Sequence, residues 1–490
     1  MTMELIDTTV RDGNQSLWGA TGLDTAQMLQ IAPALDRVGY AAIDFTTSTH
    51  MAVAVRFKKE NPWERLRLMR EAMPHTPLSF LTTGMRFISW EVASHELMAF
   101  AFRLLVNNGV RRFSVMDPMN NIQAMLDMAD LVRSAGGESI VAAVTFTLSP
   151  VHDDAHFADA VRTLAASRKF DRIYLKDPGG LVTAERARTL FPALTAVIGH
   201  LPLEFHSHTT IALAQFSYLE AADCGVACLH TAARAAANGS SQPPVETVVR
   251  NLRDMGHTVD VDDAALAEVD EYFNALAAAE GLPPGTPQEF DRSYFRHQMP
   301  GGMLGTLKRQ LSEINRLHLL PEVLAECEHV RADLGYPIMV TPFSQVVGTQ
   351  ALLNVINGER YQTIPDEVIR YAIGRFGAPA MPLNSELEDR IRSSKRAKEL
   401  EDEPVMASLD ELRKRIGKGL SDEEFLLRAV MPADQVDAMI AAGPARRSYN
   451  PQSQPVRSLI KELAARNDLG SVQISKPGFS LQMRKSGGVQ

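Results

Sequence analysis

The 490-residue sequence predicts an α/β fold, a (β/α)8 TIM barrel followed by a mainly helical C-terminal region. Eight short apolar runs alternate with helix-like stretches in the first half of the chain, which is the repeat of this barrel. Polar residues stand at the ends of several of these runs, where such barrels carry their functional groups. A doubly wound sheet is the alternative, but the Gly-rich fingerprint expected after its first strand is absent.

The apolar runs define the order of the barrel. The predicted strands are Met3–Thr8, Ala41–Phe45, Leu78–Leu81, Phe113–Met116, Ile140–Phe146, Ile173–Leu175, Leu203–Phe205 and Ala227–His230. The spacing of apolar residues between them predicts helices, among them Trp63–Glu71, His95–Asn107 and Ile122–Ser134. From about Val259 the pattern is mostly helical, with breaks at 281–287 and 300–302.

The chain therefore divides into four predicted parts. A barrel covers residues 1–258, and a helical region covers 259–447. A Ser/Pro/Gln-rich linker at 448–457 leads to a tail at 458–490, in which we expect one helix, a short hairpin and a disordered end.

Composition excludes several classes of function. A net charge of −9 and a pI near 5.9 give no broad attraction to nucleic acid or to anionic membranes. No apolar run approaches the roughly 18 residues of a membrane-spanning helix. Cys224, Cys228 and Cys327 make no CxxC pair, which favours a reducing compartment. We therefore expect a cytoplasmic protein without a membrane span.

Four polar side chains fall at the ends of predicted strands. Asp12 follows the first strand, Lys176 ends the sixth, and His206 and His208 end the seventh. Alternation along a strand points both histidines of an HxH to the same face, where they can share one metal. Taken alone, the aspartate could be a helix cap and the lysine a surface ion-pair partner. Their convergence on one rim favours a divalent transition metal such as Zn, Mn or Co.

Lys176 needs a separate explanation, because a protonated amine cannot ligate a cation. Burial in a barrel mouth lowers the pKa of a lysine and exposes the neutral amine. A neutral amine can take up carbon dioxide and form a carbamate, which supplies an anionic oxygen. Our hypothesis is that Lys176 becomes a metal ligand in this way.

Several long motifs resemble one known family. They are DTTVRDGNQSLW, VRFKKENPWERLR, AVTFTLSPVH, YLKDPGGLVT, FHSHTT, NGSSQPPVET, HQMPGGMLGTLKRQL and VTPFSQVVGTQALLNVINGERY. Together these motifs are similar to the carboxyltransferase subunits and domains of biotin-dependent carboxylases, and the resemblance runs over about residues 4–440. That family includes pyruvate carboxylase, the oxaloacetate decarboxylase alpha chain and the transcarboxylase 5S subunit.

The resemblance implies a chemistry and a set of partners. Asp12, carbamylated Lys176, His206 and His208 would bind a metal that stabilises an enolate while a carboxyl group moves between biotin and a pyruvate- or oxaloacetate-like acceptor. The chain has no Ala-Met-Lys-Met biotin-attachment motif. Biotin is therefore expected in trans on a biotin carboxyl carrier protein, with a separate biotin carboxylase subunit. The resemblance also implies a homodimer, a helical region that completes the active site, and a tail that either docks the carrier or is an ordinary terminal element.

The positions that would bind the carboxyl acceptor differ from the family pattern. The arginine that grips the acceptor's carboxylate falls on Thr83, with Arg86 nearby but out of register. The hydroxyl residue that shuttles a proton falls on Gly305, with Thr306 one position later. Either Arg86 and Thr306 take over these roles, or the acceptor is not a simple 2-keto acid, which we slightly favour. The candidate catalytic residues are Lys176, Gln15, Thr306 and Arg86, and the candidate substrate-binding positions are Gln15, Thr83, Arg86, Gly305 and Thr306.

Two further positions differ from the family's opening and histidine motifs. Asn14 replaces a histidine, and Thr209 replaces an aspartate. Two other functions remain open at this point. One is a biotin-independent, metal-dependent aldolase or lyase of the HMG-CoA lyase branch. Gly13 is similar to the residue of that branch, whereas carboxyltransferases usually have an alanine at this position. The other is an inactive barrel that acts as a scaffold in a carboxylase complex, although the retained metal ligands disfavour it.

Overall fold

The computed structural model describes residues 2–89, 92–403, 407–417 and 419–450 and, in the tail, 459–460, 462–464, 466, 468, 470–476 and 479–484. Eight parallel strands close into a barrel, because the first strand pairs with both the second and the eighth. They are β1 Thr2–Asp7, β2 Ala42–Thr47, β3 Leu78–Leu81, β4 Val110–Met116, β5 Ser139–Thr145, β6 Arg172–Asp177, β7 Leu203–Ser207 and β8 Cys228–Thr231. The predicted TIM barrel is confirmed.

Helices surround the barrel. They are α1 Asn14–Trp18, α2 Thr25–Arg37, α3 Ser48–Val53, α4 Pro62–Ala72, α5 His95–Asn107, α6 Ile122–Ser134, α7 Asp154–Ala166, α8 Ala184–Thr195, α9 Ala214–Asp223 and α10 Val245–Asp254. Local sequence sets several of their starts. Asp24, for example, accepts the backbone N–H of Gln27 while the Gln27 side chain accepts the N–H of Asp24, a capping box that begins α2.

Alternation along the strands separates an apolar outer layer from a polar interior. On β7, Phe205 points outward and packs against Phe191 of α8, with ring centroids 4.8 Å apart. Its neighbours Glu204 and His206 point inward, and Glu204 reaches Arg112 of β4 at 2.5 Å across the barrel. The interior beneath the barrel mouth is therefore charged rather than apolar.

A short strand, β9 Thr258–Val259, joins the edge of β1, and the chain then becomes mainly helical, as predicted. The helices are α11 Asp263–Glu280, α12 Tyr294–His297, α13 Gly301–Glu313, α14 Leu320–Asp333, α15 Phe343–Asn357, α16 Asp366–Ala372, α17 Ser385–Arg392, α18 Lys395–Glu401, α19 Leu409–Ile416, α20 Asp422–Val430 and α21 Ala433–Ala442. Buried residues between Met299 and Leu400 form a second core, whereas α11 and α20 pack on the core of the barrel.

The tail contains an antiparallel hairpin of β10 Ser471–Lys476 and β11 Phe479–Arg484. The predicted linker lies outside the described residues from 451 onward, as do the start of the tail at 458 and the predicted disordered end at 485–490. The four domain boundaries therefore stay predictions. Within the part of the chain that is described, no helix is long and apolar enough to cross a membrane.

Candidate metal centre and active site

Asp12 lies on a π-helical turn, Thr9–Gly13, that follows the first strand. Such turns occur frequently at functional sites. Arg11, on the same turn, contacts Asp12 at 3.3 Å and forms a second ion pair with Asp44 of β2. Burial alone would raise the pKa of Asp12, but Arg11 and then Lys176 hold that pKa well below its usual range. The carboxylate is thus ionised and fixed in direction.

Lys176, His206 and His208 converge on Asp12 from the ends of β6 and β7. Asp12 Oδ2 lies 3.4 Å from Lys176 Nζ, 3.2 Å from His206 Nε2 and 3.6 Å from His208 Nε2. His206 Nε2 lies 3.2 Å from Lys176 Nζ and 3.1 Å from His208 Nε2. All four residues are buried. The structure therefore brings together the four predicted metal-binding residues.

The spacing of these atoms fits a metal ligand shell. With metal–ligand bonds of about 2.1 Å, tetrahedral geometry separates the ligand atoms by about 3.4 Å. The three distances among Asp12 Oδ2, His206 Nε2 and His208 Nε2, between 3.1 and 3.6 Å, bracket that value. The donor set of two imidazoles and a carboxylate, with a lysine beside them, also suits a divalent transition metal.

Hydrogen bonds fix both histidines in the form that can bind a metal. His208 Nδ1 lies 2.5 Å from the carbonyl oxygen of Ser240, which can only accept, so Nδ1 carries the proton and Nε2 has a lone pair. His230 Nε2 lies 3.1 Å from the Glu204 carboxylate and donates to it for the same reason. The other nitrogen of His230 then accepts from His206 Nδ1 at 3.3 Å. These two hydrogen bonds form a relay from Glu204 through His230 to His206, which leaves His206 Nε2 unprotonated and directed at Asp12.

Glu204 anchors the relay because two arginines neutralise it. Arg112 contacts it at 2.5 Å, and Arg172 forms a second ion pair from the far side. Burial alone would raise the pKa of Glu204, but Arg112 and the hydrogen bond from His230 lower that pKa strongly. Glu204, Cys228 and His230 also have donor atoms within 4.8 Å of one another. Because the two guanidinium groups already supply the positive charge, we assign no second metal there.

Lys176 is 5% exposed, and its amine lies 3.3 Å from the Tyr174 hydroxyl. Burial lowers the pKa of Lys176, and the nearby Asp12 opposes that effect only in part. The environment therefore favours the neutral amine more than water does.

Gln15 lies in the first turn of α1, three residues after Asp12. The same helix carries Ser16, whose hydroxyl donates to Asp12 Oδ1 at 3.0 Å. The Gln15 side-chain oxygen is buried and has no hydrogen-bond partner. A buried acceptor in this position is suited to contact a bound molecule.

Thr83 and Arg86 lie on the loop after β3, across the barrel from β7 in the strand order. Thr83 is half-buried, whereas Arg86 is buried and lies over the Phe376 ring at 4.9 Å. Burial lowers the pKa of Arg86, opposed by the charge of Asp117. The structure thus places Arg86 with Asp117 and Phe376 on the β3–β4 side of the mouth, opposite the histidines.

Gly305 and Thr306 lie in α13. Gly305 is exposed, and the Thr306 hydroxyl donates at 3.3 Å to a carbonyl one turn earlier in the same helix. The helix begins at Gly301, where a Cβ would lie 2.7 Å from the Cβ of Ser240. Glycine is therefore required for this contact, and Ser240 is the residue that holds His208. The helix with Thr306 is attached directly to the metal side of the mouth.

Asn14 and Thr209, the two positions that differ from the family's opening and histidine motifs, each form a hydrogen bond with a neighbouring loop. Asn14 is buried, and its side-chain oxygen accepts the backbone N–H of Gly22 at 3.1 Å. The Thr209 hydroxyl donates to the carbonyl of Gly239 at 2.9 Å. Both side chains hold the loops around the site in place.

Comparisons with known proteins agree on one family. The family described as the conserved carboxylase domain matches residues 295–463. A pyruvate carboxylase subunit from Methanocaldococcus jannaschii is 35% identical over 390 residues, covering 79% of this chain and 68% of that protein. A 2-oxoglutarate carboxylase large subunit from Hydrogenobacter thermophilus is 31% identical over 466 residues, covering 93% and 70%.

The chain belongs to the carboxyltransferase family of the biotin-dependent carboxylases. The fold agrees with this assignment. The carboxyl transferase domain of Rhizobium etli pyruvate carboxylase, in a variant solved with pyruvate, matches with a TM-score of 0.83 at 26% identity, covering 92% of this chain and 78% of that chain. The predicted family and the enzyme class are confirmed.

Three residues at this site were not predicted from the sequence. Glu204 and His230 orient His206, and Gln242 contacts both His206 and His208. Strand periodicity could have found Glu204, because it precedes His206 by two positions and therefore shares its inward face. His230 could have been found in the same way at the end of the eighth strand.

Proposed function

We propose that this carboxyltransferase moves a carboxyl group between carboxybiotin on a separate carrier protein and a small acceptor, through a metal-stabilised enolate. Asp12, Lys176, His206 and His208 would hold a divalent metal, with Zn, Mn and Co as the candidates. When bound, the metal would polarise the acceptor's carbonyl and offset the negative charge of the enolate. The observation that carries this proposal is the convergence of Asp12, His206 and His208, whose donor atoms lie 3.1–3.6 Å apart. The Lys176 amine lies beside them, 3.4 Å from Asp12 and 3.2 Å from His206.

Lys176 would bind the metal as a carbamate. Its neutral amine would add to the carbon of carbon dioxide, so that one N–C bond forms while one C=O π bond opens and places its electron pair on oxygen. The nitrogen would then release a proton to solvent water, which leaves an anionic carbamate. Burial supports this step because it lowers the pKa of Lys176. Arg11 supports it in a second way, since its positive charge also lowers the pKa of Lys176.

The side chains at the acceptor end of the site define two alternatives. Arg86 would bind a carboxylate of the acceptor in the role that Thr83 cannot fill. Alternatively the acceptor is not a simple 2-keto acid. The similarity to a protein named 2-oxoglutarate carboxylase adds 2-oxoglutarate to the keto acids to be tested under the first alternative. Gln15 would contact the acceptor through its unpartnered oxygen. Thr306 would carry the proton between biotin and the enolate.

The proposed partners follow from the family. We propose that a biotin carboxyl carrier protein and a biotin carboxylase subunit act with this chain, which would form a homodimer in the cytoplasm. The tail hairpin, Ser471–Arg484, is a candidate docking element for the carrier.

The test is oxaloacetate decarboxylation by metal-analysed protein, with and without a biotinylated carrier. We expect pyruvate release that requires both the metal and the carrier, and that is absent in Lys176→Ala. Cleavage without the carrier would instead favour the aldolase or lyase. No turnover by metal-replete protein would refute oxaloacetate as the substrate, and 2-oxoglutarate with a carboxylated carrier would be the next acceptor to assay.

A further inference from the structure

Gln242 is a fully buried amide that faces the metal-binding histidines. It follows β8 in the SQPP segment, and its side-chain nitrogen lies 3.2 Å from His208 Nε2 and 3.3 Å from His206 Nε2. These distances match those among the four predicted ligands. The amide oxygen lies 2.8 Å from the Thr8 hydroxyl and 3.2 Å from the Ser241 hydroxyl.

The direction of this amide depends on what occupies the histidine lone pairs. In the arrangement described, the NH2 group donates to both histidine nitrogens. A cation on those nitrogens would repel the NH2 group and attract the amide oxygen. The oxygen and nitrogen of an amide have nearly the same shape, so a half-turn exchanges them without any change in packing.

The hydroxyl groups around Gln242 satisfy the turned amide as well. Thr8 Oγ1 lies 2.9 Å from the carbonyl oxygen of Thr231, to which it can donate its single proton. It can then accept a proton from the turned NH2 group, and the Ser241 hydroxyl can accept the other. Thr8 and Ser241 therefore each keep a hydrogen bond to the amide in both orientations.

We infer that Gln242 is an additional metal ligand, bound through its side-chain oxygen. This inference rests on the proposed metal centre and adds a neutral oxygen donor to it. Amide and carboxylate oxygens suit harder cations than imidazole alone does, so the extra ligand favours Mn or Co over a closed tetrahedral Zn site.

The test uses Co(II) bound to the full chain after removal of metal with a chelator, in bicarbonate buffer. Visible absorption reports both the affinity and the coordination number, because tetrahedral Co(II) absorbs more strongly than five- or six-coordinate Co(II). We expect Gln242→Met to bind Co(II) at least about tenfold more weakly and to shift the spectrum towards the tetrahedral form. Gln242→Glu, which keeps an oxygen at the same reach, should retain the wild-type affinity and spectrum.

The matched control is Gln350→Met. Gln350 is also fully buried, and its amide donates to Asn354 at 2.7 Å in α15, away from the barrel mouth. It should lose a similar amount of thermal stability while Co(II) binding stays at the wild-type level. Wild-type binding by Gln242→Met would overturn the inference. Equal losses in Gln242→Met and Gln242→Glu would also overturn it, since they would indicate an N–H donor. Failure of the wild-type chain to bind Co(II) would refute the metal centre itself.

Discussion

The relay from Glu204 through His230 to His206 makes a quantitative prediction for His230→Phe. Phenylalanine keeps the ring that stacks on Tyr174, whose centroid lies 4.6 Å from that of His230. It removes the acceptor that lies 3.3 Å from His206 Nδ1. Glu204 keeps its two arginine partners, so the charge in the barrel interior stays balanced.

The size of the effect follows from the lost acceptor. A buried donor without a partner costs about 1–3 kcal/mol. His206 avoids that cost by moving its proton to Nε2, which is the nitrogen that must be bare to bind a metal. Since 1.4 kcal/mol corresponds to about tenfold in affinity, we expect metal binding to weaken about 10- to 100-fold.

Competition with a chelator of known affinity would measure the dissociation constant of Co(II) or Zn(II). His152→Phe provides the control, because His152 is a buried histidine bonded to Ser149 at 2.6 Å, outside the relay. It should bind metal as the wild type does. Loss of an orienting partner is expected to weaken metal binding by about tenfold or more. If His230→Phe folds normally and its dissociation constant stays within about twofold of the wild-type value, the proposed role of the relay is therefore wrong.

Three other variants test separate parts of the molecule. Lys176→Ala should lose tightly bound metal and carrier-dependent decarboxylation together, and metal retained at the wild-type level by elemental analysis would contradict its role as a ligand. Arg86→Met combined with Asp117→Asn, which removes both charges of the pair, should raise the KM for the acceptor at least about tenfold with unchanged metal content; an unchanged KM would exclude Arg86 as the anchor. Burial, opposed by hydrogen bonds from Thr9, raises the pKa of Asp7 to about 7, so the folded chain keeps a proton that the unfolded chain releases near pH 4. The contribution of Asp7 to stability should therefore fall by up to about 4 kcal/mol between pH 4 and pH 7. Denaturant midpoints should show this as a change, over the same pH range, in the difference in stability between the wild type and Asp7→Asn; an identical pH dependence of the two proteins would contradict it.

The barrel and the convergence of the four candidate metal ligands could be predicted because both follow from local patterns. Short apolar runs and helical spacing located all eight strands, and helices α5 and α6 were predicted to the residue. The strand ends then placed Asp12, Lys176 and the two histidines on one rim without knowledge of any contact. Parallel strands in a barrel impose that placement, so few alternatives remained.

The surroundings of those residues could not be predicted, because they depend on contacts between distant segments. Arg86 meets Asp117 from the next strand and Phe376 from the helical region, almost 300 residues later in the chain. The sequence identified Arg86 as an arginine near the expected position but gave no information about its partners. Gln242 was part of a recognised motif, yet only the closed barrel brings it to the histidines.

The opposite placement of Arg86 and the histidines has an evolutionary consequence. The β3 and β4 loops, which carry Thr83 and Arg86, contribute none of the four predicted metal ligands, which come from β6, β7 and the turn after β1. Under the proposed function, substitutions such as that at Thr83 can accumulate under selection for a new acceptor while the four predicted ligands are retained. A lineage can change its substrate by revising one side of the barrel mouth, and relatives named for different keto acids are the expected record of that history.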